Sequence, residues 1–250
     1  MSRSRVLLCA THVAGNALLL LLGYYWLGLG ESNAAHLTFS TAVIVFFALA
    51  ALWLHGTAFV LFRPDKTMTF GSAAARALRN LLPLFVLSAM VFGVYMLLWH
   101  FYDSFGHSAF NIGSYSTMKL RRPVEPTGVL RVFHAFIWFV RWFVVPSLAF
   151  PLASEIANNG WPGFSVSAFK RSRKLLFWLE AGVLALVAVH LPVHLFLWVP
   201  TMPNFSMELV SVIGRLGLGY LLFTVGWLAL EFLTSAGTPR STQVNTVVSP

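Results

Sequence analysis

The chain has 250 residues, 58% of them hydrophobic and 10% charged, with a mean hydropathy of +0.75. A soluble domain carries about 25% charged residues, so this composition cannot furnish a water-facing surface. The net charge is +9, but the Lys and Arg residues sit at the ends of apolar runs, with no separate basic domain, which excludes a nucleic-acid partner.

Six apolar runs fill most of the chain: Val6–Leu29, Leu37–Phe62, Leu81–Phe101, Val129–Phe150, Leu175–Val199 and Leu209–Leu233. An α-helix needs about 20 residues to cross a hydrocarbon layer of about 30 Å, and each run has that length. Barrel strands would be about ten residues long with alternating polarity. The expected fold is therefore an all-α integral membrane protein, one six-helix bundle over residues 1–233. A disordered cytoplasmic tail is expected over 234–250.

The first run follows Arg3 and Arg5 as a signal peptide would, but it is too long for one and no small-x-small cleavage site follows. It reads as an uncleaved first span. Cys9 is the only cysteine, which rules out an intrachain disulfide and a Cys-based metal site; a buried thiol is expected. Ala10 and Ala14 have the spacing of a small-residue helix contact. His12 in span one and His55 in span two lie toward the same, inner side and can form a pair.

After span two, Thr69 is placed to cap a short amphipathic helix. Phe70, Ala74, Ala77, Leu78 and Leu81 share one face, and Ser72, Arg76 and Arg79 another. Such a helix lies on the cytoplasmic surface, where each cation attracts anionic lipid headgroups by about 1 kcal/mol. An offset of 94 places Phe70 over Phe164, Ala74 over Ala168, Arg76 over Lys170, Arg79 over Arg173 and Leu81 over Leu175. Spans two and three then overlie spans four and five. This predicts a parallel internal repeat with a second basic surface helix carrying Lys170 and Arg173.

Span three ends in Trp99, Phe101 and Tyr102. With Tyr24, Tyr25, Trp26 and Trp198, these form the expected aromatic belt at outer span ends. The segment Tyr102–Gly128 reads as the largest external loop, a lid or partner surface. Span four carries Arg141 near its middle, where a charge costs several kcal/mol unless paired or hydrated. Glu180 in span five is the expected partner. The pair reads either as a polar pathway or substrate counter-ion, or as a structural ion pair setting helix register.

His100, His134, His190 and His194 map near outer span ends. His190 and His194 are one turn apart, with Pro192 between them expected to kink the helix. Convergent histidines could ligate a metal or haem. The mismatched depths of His55 and His134 speak against a cytochrome, and no cofactor is predicted beyond that option. In span six, Gly214, Gly217 and Gly219 suggest close helix approach, and Glu231 reads as interfacial.

If the N-terminus is cytoplasmic, eleven cations lie inside and five outside. The positive-inside bias therefore places both termini in the cytoplasm, most naturally at the plasma membrane. No HExxH, P-loop or GxSxG motif is present, and Asp65 and Asp103 fall on opposite sides, so no aspartyl dyad forms. Three function classes follow. The first is a non-enzymatic scaffold or subunit of a membrane complex, with lipid and other membrane subunits as partners. The second is a small transporter or permease component using Arg141 and Glu180. The third is a His-ligated haem or metal redox protein.

Overall fold

The computed structural model describes residues 3–30, 32–63 and 68–235, with the side chains of 171–173 outside that set. Among the described residues the structure is helical, with no strand. Six helices are long and apolar enough to cross a membrane, as a multi-pass integral membrane protein requires: α1 Arg3–Leu27, α2 Ala34–Leu61, α4 Leu81–Ser104, α6 Pro126–Asn159, α7 Leu175–Leu197 and α8 Phe205–Ser235. Two shorter helices, α3 Phe70–Arg79 and α5 Gly106–Leu120, lie between spans. Successive spans run in opposite directions. One end of the bundle, here the terminal end, gathers the start of α1, the ends of α2, α6 and α8, and α3. The other, far end carries α5.

Helix starts are fixed locally. The Asn33 side chain accepts from the His36 N–H at 2.9 Å, and Asn204 accepts from the Met207 N–H at 2.9 Å, satisfying donors that a first turn leaves free. Thr69 and Ser72 form a reciprocal capping box on α3, which meets the expectation for Thr69. Helix α6 stops at Gly160, whose φ of +68° is a conformation that L side chains rarely adopt.

The core lies toward the terminal end. The last turns of α2 are buried from Gly56 to Leu61, packed against α1, α3, α4, α6 and α8. Around them Leu8, Ala73, Leu84, Phe150, Ile156, Phe177 and Leu230 form one continuous cluster. The outer faces of the spans stay apolar and exposed, as a lipid-facing surface does. Tyr24, Tyr25, Trp99 and Trp198 are among these exposed residues.

Two spans are locally irregular. Helix α6 has a π-turn at Val140–Val144 and α7 one at Leu186–His190. Each is followed two residues later by a proline, Pro146 and Pro192. A proline ring in a helix collides with the carbonyl four residues back, here Trp142 and Ala188, and both lie inside the wide turns. The π-turn gives that carbonyl room, so the bend expected at Pro192 takes this form.

Several boundaries differ from expectation. Helix α6 runs to Asn159, past the expected end at Phe150, and Pro151 is inside it. In its polar last turns Ser154 and Asn158 are buried while Asn159 stays exposed: Ser154 meets Ser235 at 3.2 Å, and the Asn80 side chain donates to the Ala157 carbonyl at 2.9 Å. The expected outer loop Tyr102–Gly128 is mostly helix: α4 continues to Ser104, and α5 packs on the start of α6. Thr234 and Ser235, assigned to the tail by sequence, are buried in α8; the tail beyond Ser235, with Arg240, and the residues Asp65 and Lys66 lie outside the described set. Cys9 is half-buried.

Helices α4 and α7 begin at Leu81 and Leu175, the positions that the offset of 94 pairs. The surface segments before them differ. The first is the α-helix α3, while Val166–Arg173 is a 3-10 segment. At the same offset Gly163 replaces the cap Thr69, Val166 replaces Ser72, and Ser167 stands where Ala73 is buried. Cap and buried contact are both lost, which accounts for the weaker helix. Gly163 also sits against the Ile156 backbone, where a Cβ would come within 2.6 Å.

Neighbouring spans are tied at the far end. Trp26 donates to Ser40 at 2.9 Å, His134 Nε2 lies 3.3 Å from the Tyr102 carbonyl, and Arg215 donates to the Trp198 carbonyl.

Candidate functional site

One face of α1 is buried through Leu8, His12 and Asn16, spaced one turn apart. Ala10 and Ala14, the expected contact pair, are exposed instead. His12 therefore points into the bundle, where α2 presents His55 and α8 presents Glu231. His12 and Glu231 are each 0% exposed, and the His55 side chain is 13% exposed. The His55 Nδ1–H donates to Glu231 Oε1 at 2.6 Å. His12 Nε2 stands 3.4 Å from Glu231 Oε2 without hydrogen-bond geometry. The two imidazoles meet edge to face at 5.1 Å, and Trp227 lies 4.9 Å from His55.

Sequence position paired the two histidines but put Glu231 at the interface, and that placement is corrected here. Helix α8 extends to Ser235, so Glu231 is a full turn inside the bundle. Its burial has a large electrostatic consequence. A carboxylate away from water is costly unless compensated, and no Lys or Arg reaches it within salt-bridge distance among the described residues. Only the imidazoles can balance it.

The cluster borders a cavity of about 480 Å³ in the middle of the bundle. All six spans contribute to its wall: Asn16 from α1, His55 from α2, Tyr95 from α4, Trp142 and Pro146 from α6, Val189 from α7 and Trp227 from α8. The lining is predominantly apolar, with His55, Asn16, Ser88 and Tyr95 supplying polar groups. Trp227 Nε1, also in this wall, has no hydrogen-bond partner. Both π-turns contribute, through Trp142 and Val189, so the irregular backbone faces the cavity.

Arg141 sits in the first π-turn, beside the cavity's opposite end. Tyr95 donates to the Arg141 carbonyl at 2.6 Å. The guanidinium lies 6.0 Å from the Tyr95 ring, 5.5 Å from Trp99 and 5.8 Å from Trp142, within cation–π range. The expected ion pair with Glu180 is not formed, and Glu180 is exposed. The reason is depth. Along a helix, Arg141 is about 27 Å from Asn159, while Glu180 is only about 8 Å from Leu175. The added length of α6 moved Arg141 into the far half of the bundle.

The four outer histidines do not assemble. His134 stacks on Tyr102 at 3.8 Å, and His190 lies against Trp138 and Trp142. His190 and His194 are stacked 6.5 Å apart, and His100 is exposed beside Phe101. Among the described residues, the one group of three metal-ligating side chains is His12, His55 and Glu231. Of the surface cations, Arg79 and Lys170 are exposed and Arg76 is half-buried; the Arg173 side chain lies outside the described set.

No family model, curated protein or solved structure matches this chain.

Proposed function

We propose that this chain is a small transporter or permease component that takes a mainly apolar molecule into the chamber between its six spans. The observation that carries this reading is the cavity of about 480 Å³ flanked by π-turns in two of its spans. Irregular backbone at membrane depth is tolerated where it is buried in protein or lines a cavity. Single π-turns inside helices are frequent at functional sites. The ionisable group at this chamber is the His12–His55–Glu231 cluster rather than an Arg141–Glu180 pair. On the charge distribution, the terminal end faces the cytoplasm. The repeat relating the two hairpins is a parallel one, and Arg76, Arg79 and Lys170 rest against anionic headgroups.

Water access from the two sides tests this reading without knowledge of the cargo. In a Cys9→Ser background, Ala51→Cys and Ala149→Cys place single thiols on the chamber wall. A membrane-impermeant maleimide is applied to vesicles of known orientation from one side at a time. Alternating access gives labelling of chamber thiols from both sides. Labelling from neither side, while Lys174→Cys and Ser104→Cys react at opposite ends, rejects transport.

A second reading, a subunit of a larger membrane complex, is favoured by α5. This helix lies outside the spans and exposes Phe110, Tyr115, Met118 and Leu120. A co-purifying membrane partner lost on changing these residues to Ser supports it.

A further inference from the structure

We propose that His12, His55 and Glu231 form a binding site for one divalent transition-metal ion of the zinc type. This goes beyond the transport reading and does not depend on it. The three ligand atoms come from three different spans, α1, α2 and α8, and lie within 4.8 Å of one another. A tetrahedral ion with bonds of about 2.0–2.1 Å holds its ligands about 3.3 Å apart. His12 Nε2 and Glu231 Oε2 already stand at 3.4 Å. The widest ligand spacing is up to 4.8 Å, so closing the shell requires the His55 ring to move toward His12 by up to about 1.5 Å, releasing its 2.6 Å bond to Glu231 and carrying its proton on Nε2 so that Nδ1 is free to ligate.

A second observation, beside the spacing of the ligand atoms, points to a ligand here. Neither ring nitrogen of His12 has a hydrogen-bond partner, although the residue is fully buried, and Glu231 Oε2 is likewise unpartnered. Buried polar atoms are ordinarily satisfied. One cation would engage the unpartnered Nε2 of His12 and the unpartnered carboxylate oxygen at once, and would neutralise a buried charge that has no Lys or Arg. The donor chemistry agrees. Two imidazoles and one carboxylate suit zinc and similar divalent ions, and no thiolate belongs to the set. His55 is the ligand that also lines the chamber, so the site adjoins the cavity.

The test uses the full chain in lipid nanodiscs, stripped with a chelator. Zn²⁺ alone is titrated by calorimetry, and Co²⁺ alone is followed by visible absorption. One equivalent binds, with a low-symmetry Co²⁺ spectrum. Glu231→Gln and His12→Asn each weaken affinity by at least ~100-fold. The double change His190→Asn, His194→Asn leaves it unaltered. Absence of any stoichiometric Zn²⁺ uptake by folded wild type overturns the site, as does full affinity in the Glu231 and His12 variants. Should those variants fail to fold, X-ray absorption on zinc-loaded wild type decides. A nitrogen and oxygen shell with imidazole scattering supports the assignment. Sulfur from Cys9 in the first shell rejects it.

Discussion

Gly226 gives the sharpest test of how α8 is seated. A Cβ at this position would lie 2.9 Å from both Cα and Cβ of Ala188 and 3.1 Å from its backbone nitrogen. Comfortable carbon contacts are about 3.5–4.0 Å. The Gly226→Ala methyl therefore forces the two helices apart by roughly 0.7 Å. No rotamer change can relieve it, because the opposing atoms are backbone and a first side-chain carbon. Overpacking of this kind costs about 1–3 kcal/mol, against a helix-propensity gain for Ala of about 1 kcal/mol. Gly217, on the same helix, has nothing within 4 Å of its would-be Cβ, so Gly217→Ala keeps the propensity gain alone. The difference between the two variants is thus about 1–3 kcal/mol, a factor of about 5 to 150 in the unfolding equilibrium. Reversible unfolding by a denaturing detergent, in mixed micelles and followed by tryptophan fluorescence, measures it. Equal stabilities for the two variants would refute the close approach of α8 to the second π-turn.

Three further outcomes are expected. Tyr95→Phe deprives the Arg141 carbonyl of its donor and lowers stability in the same unfolding assay by about 0.6 kcal/mol, the average for hydrogen bonds inside membranes, and by no more than about 1.7 kcal/mol. Gly160→Ala meets both a positive φ and the Asn80 side chain, at 2.9 Å from Oδ1, and costs about 1–3 kcal/mol, read as a lower thermal midpoint. A double-mutant cycle on Arg141→Gln and Glu180→Gln gives a coupling energy within about 0.5 kcal/mol of zero, since the two do not touch. A coupling above 1 kcal/mol would show that they do.

The spans were legible because run length alone decides them: α4 and α7 begin at Leu81 and Leu175 as expected. Their ends were less legible. Ser154, Glu155, Asn158 and Asn159 look like a helix leaving the membrane, yet Ser154 and Asn158 are buried under α8 and neighbouring segments. Polarity marks an end only where no partner waits, and the partners here, Ser235 and Asn80, are far away in the chain. The same error misplaced Arg141 and hid its distance from Glu180. For the site, depth from the span ends was enough to pair His12 with His55. Glu231 was misread because its position was counted from a span end placed too early. The spacing of His12 and Asn16 was an available signal of a buried polar face, and the small-residue spacing of Ala10 and Ala14 competed with it. Glycine spacing could not say which glycine makes contact: Gly214 and Gly217 face open space, while Gly219 meets Phe196 and Gly226 meets Ala188.

The placement of the polar ties has a mechanical meaning. At the terminal end they join elements remote in the chain: Asn80 to Ala157, Ser154 to Ser235, His55 to Glu231. The far-end ties of Trp26, His134 and Arg215 bind each span only to the next one along. Tyr220 donates to the Val13 carbonyl and ties α8 to α1 near mid-height, so the bundle is fastened across its base and waist and only pairwise at its tips. A tilt of about 5° at the base moves the tip of a span ~36 Å long by about 3 Å. That is about the width of a water molecule.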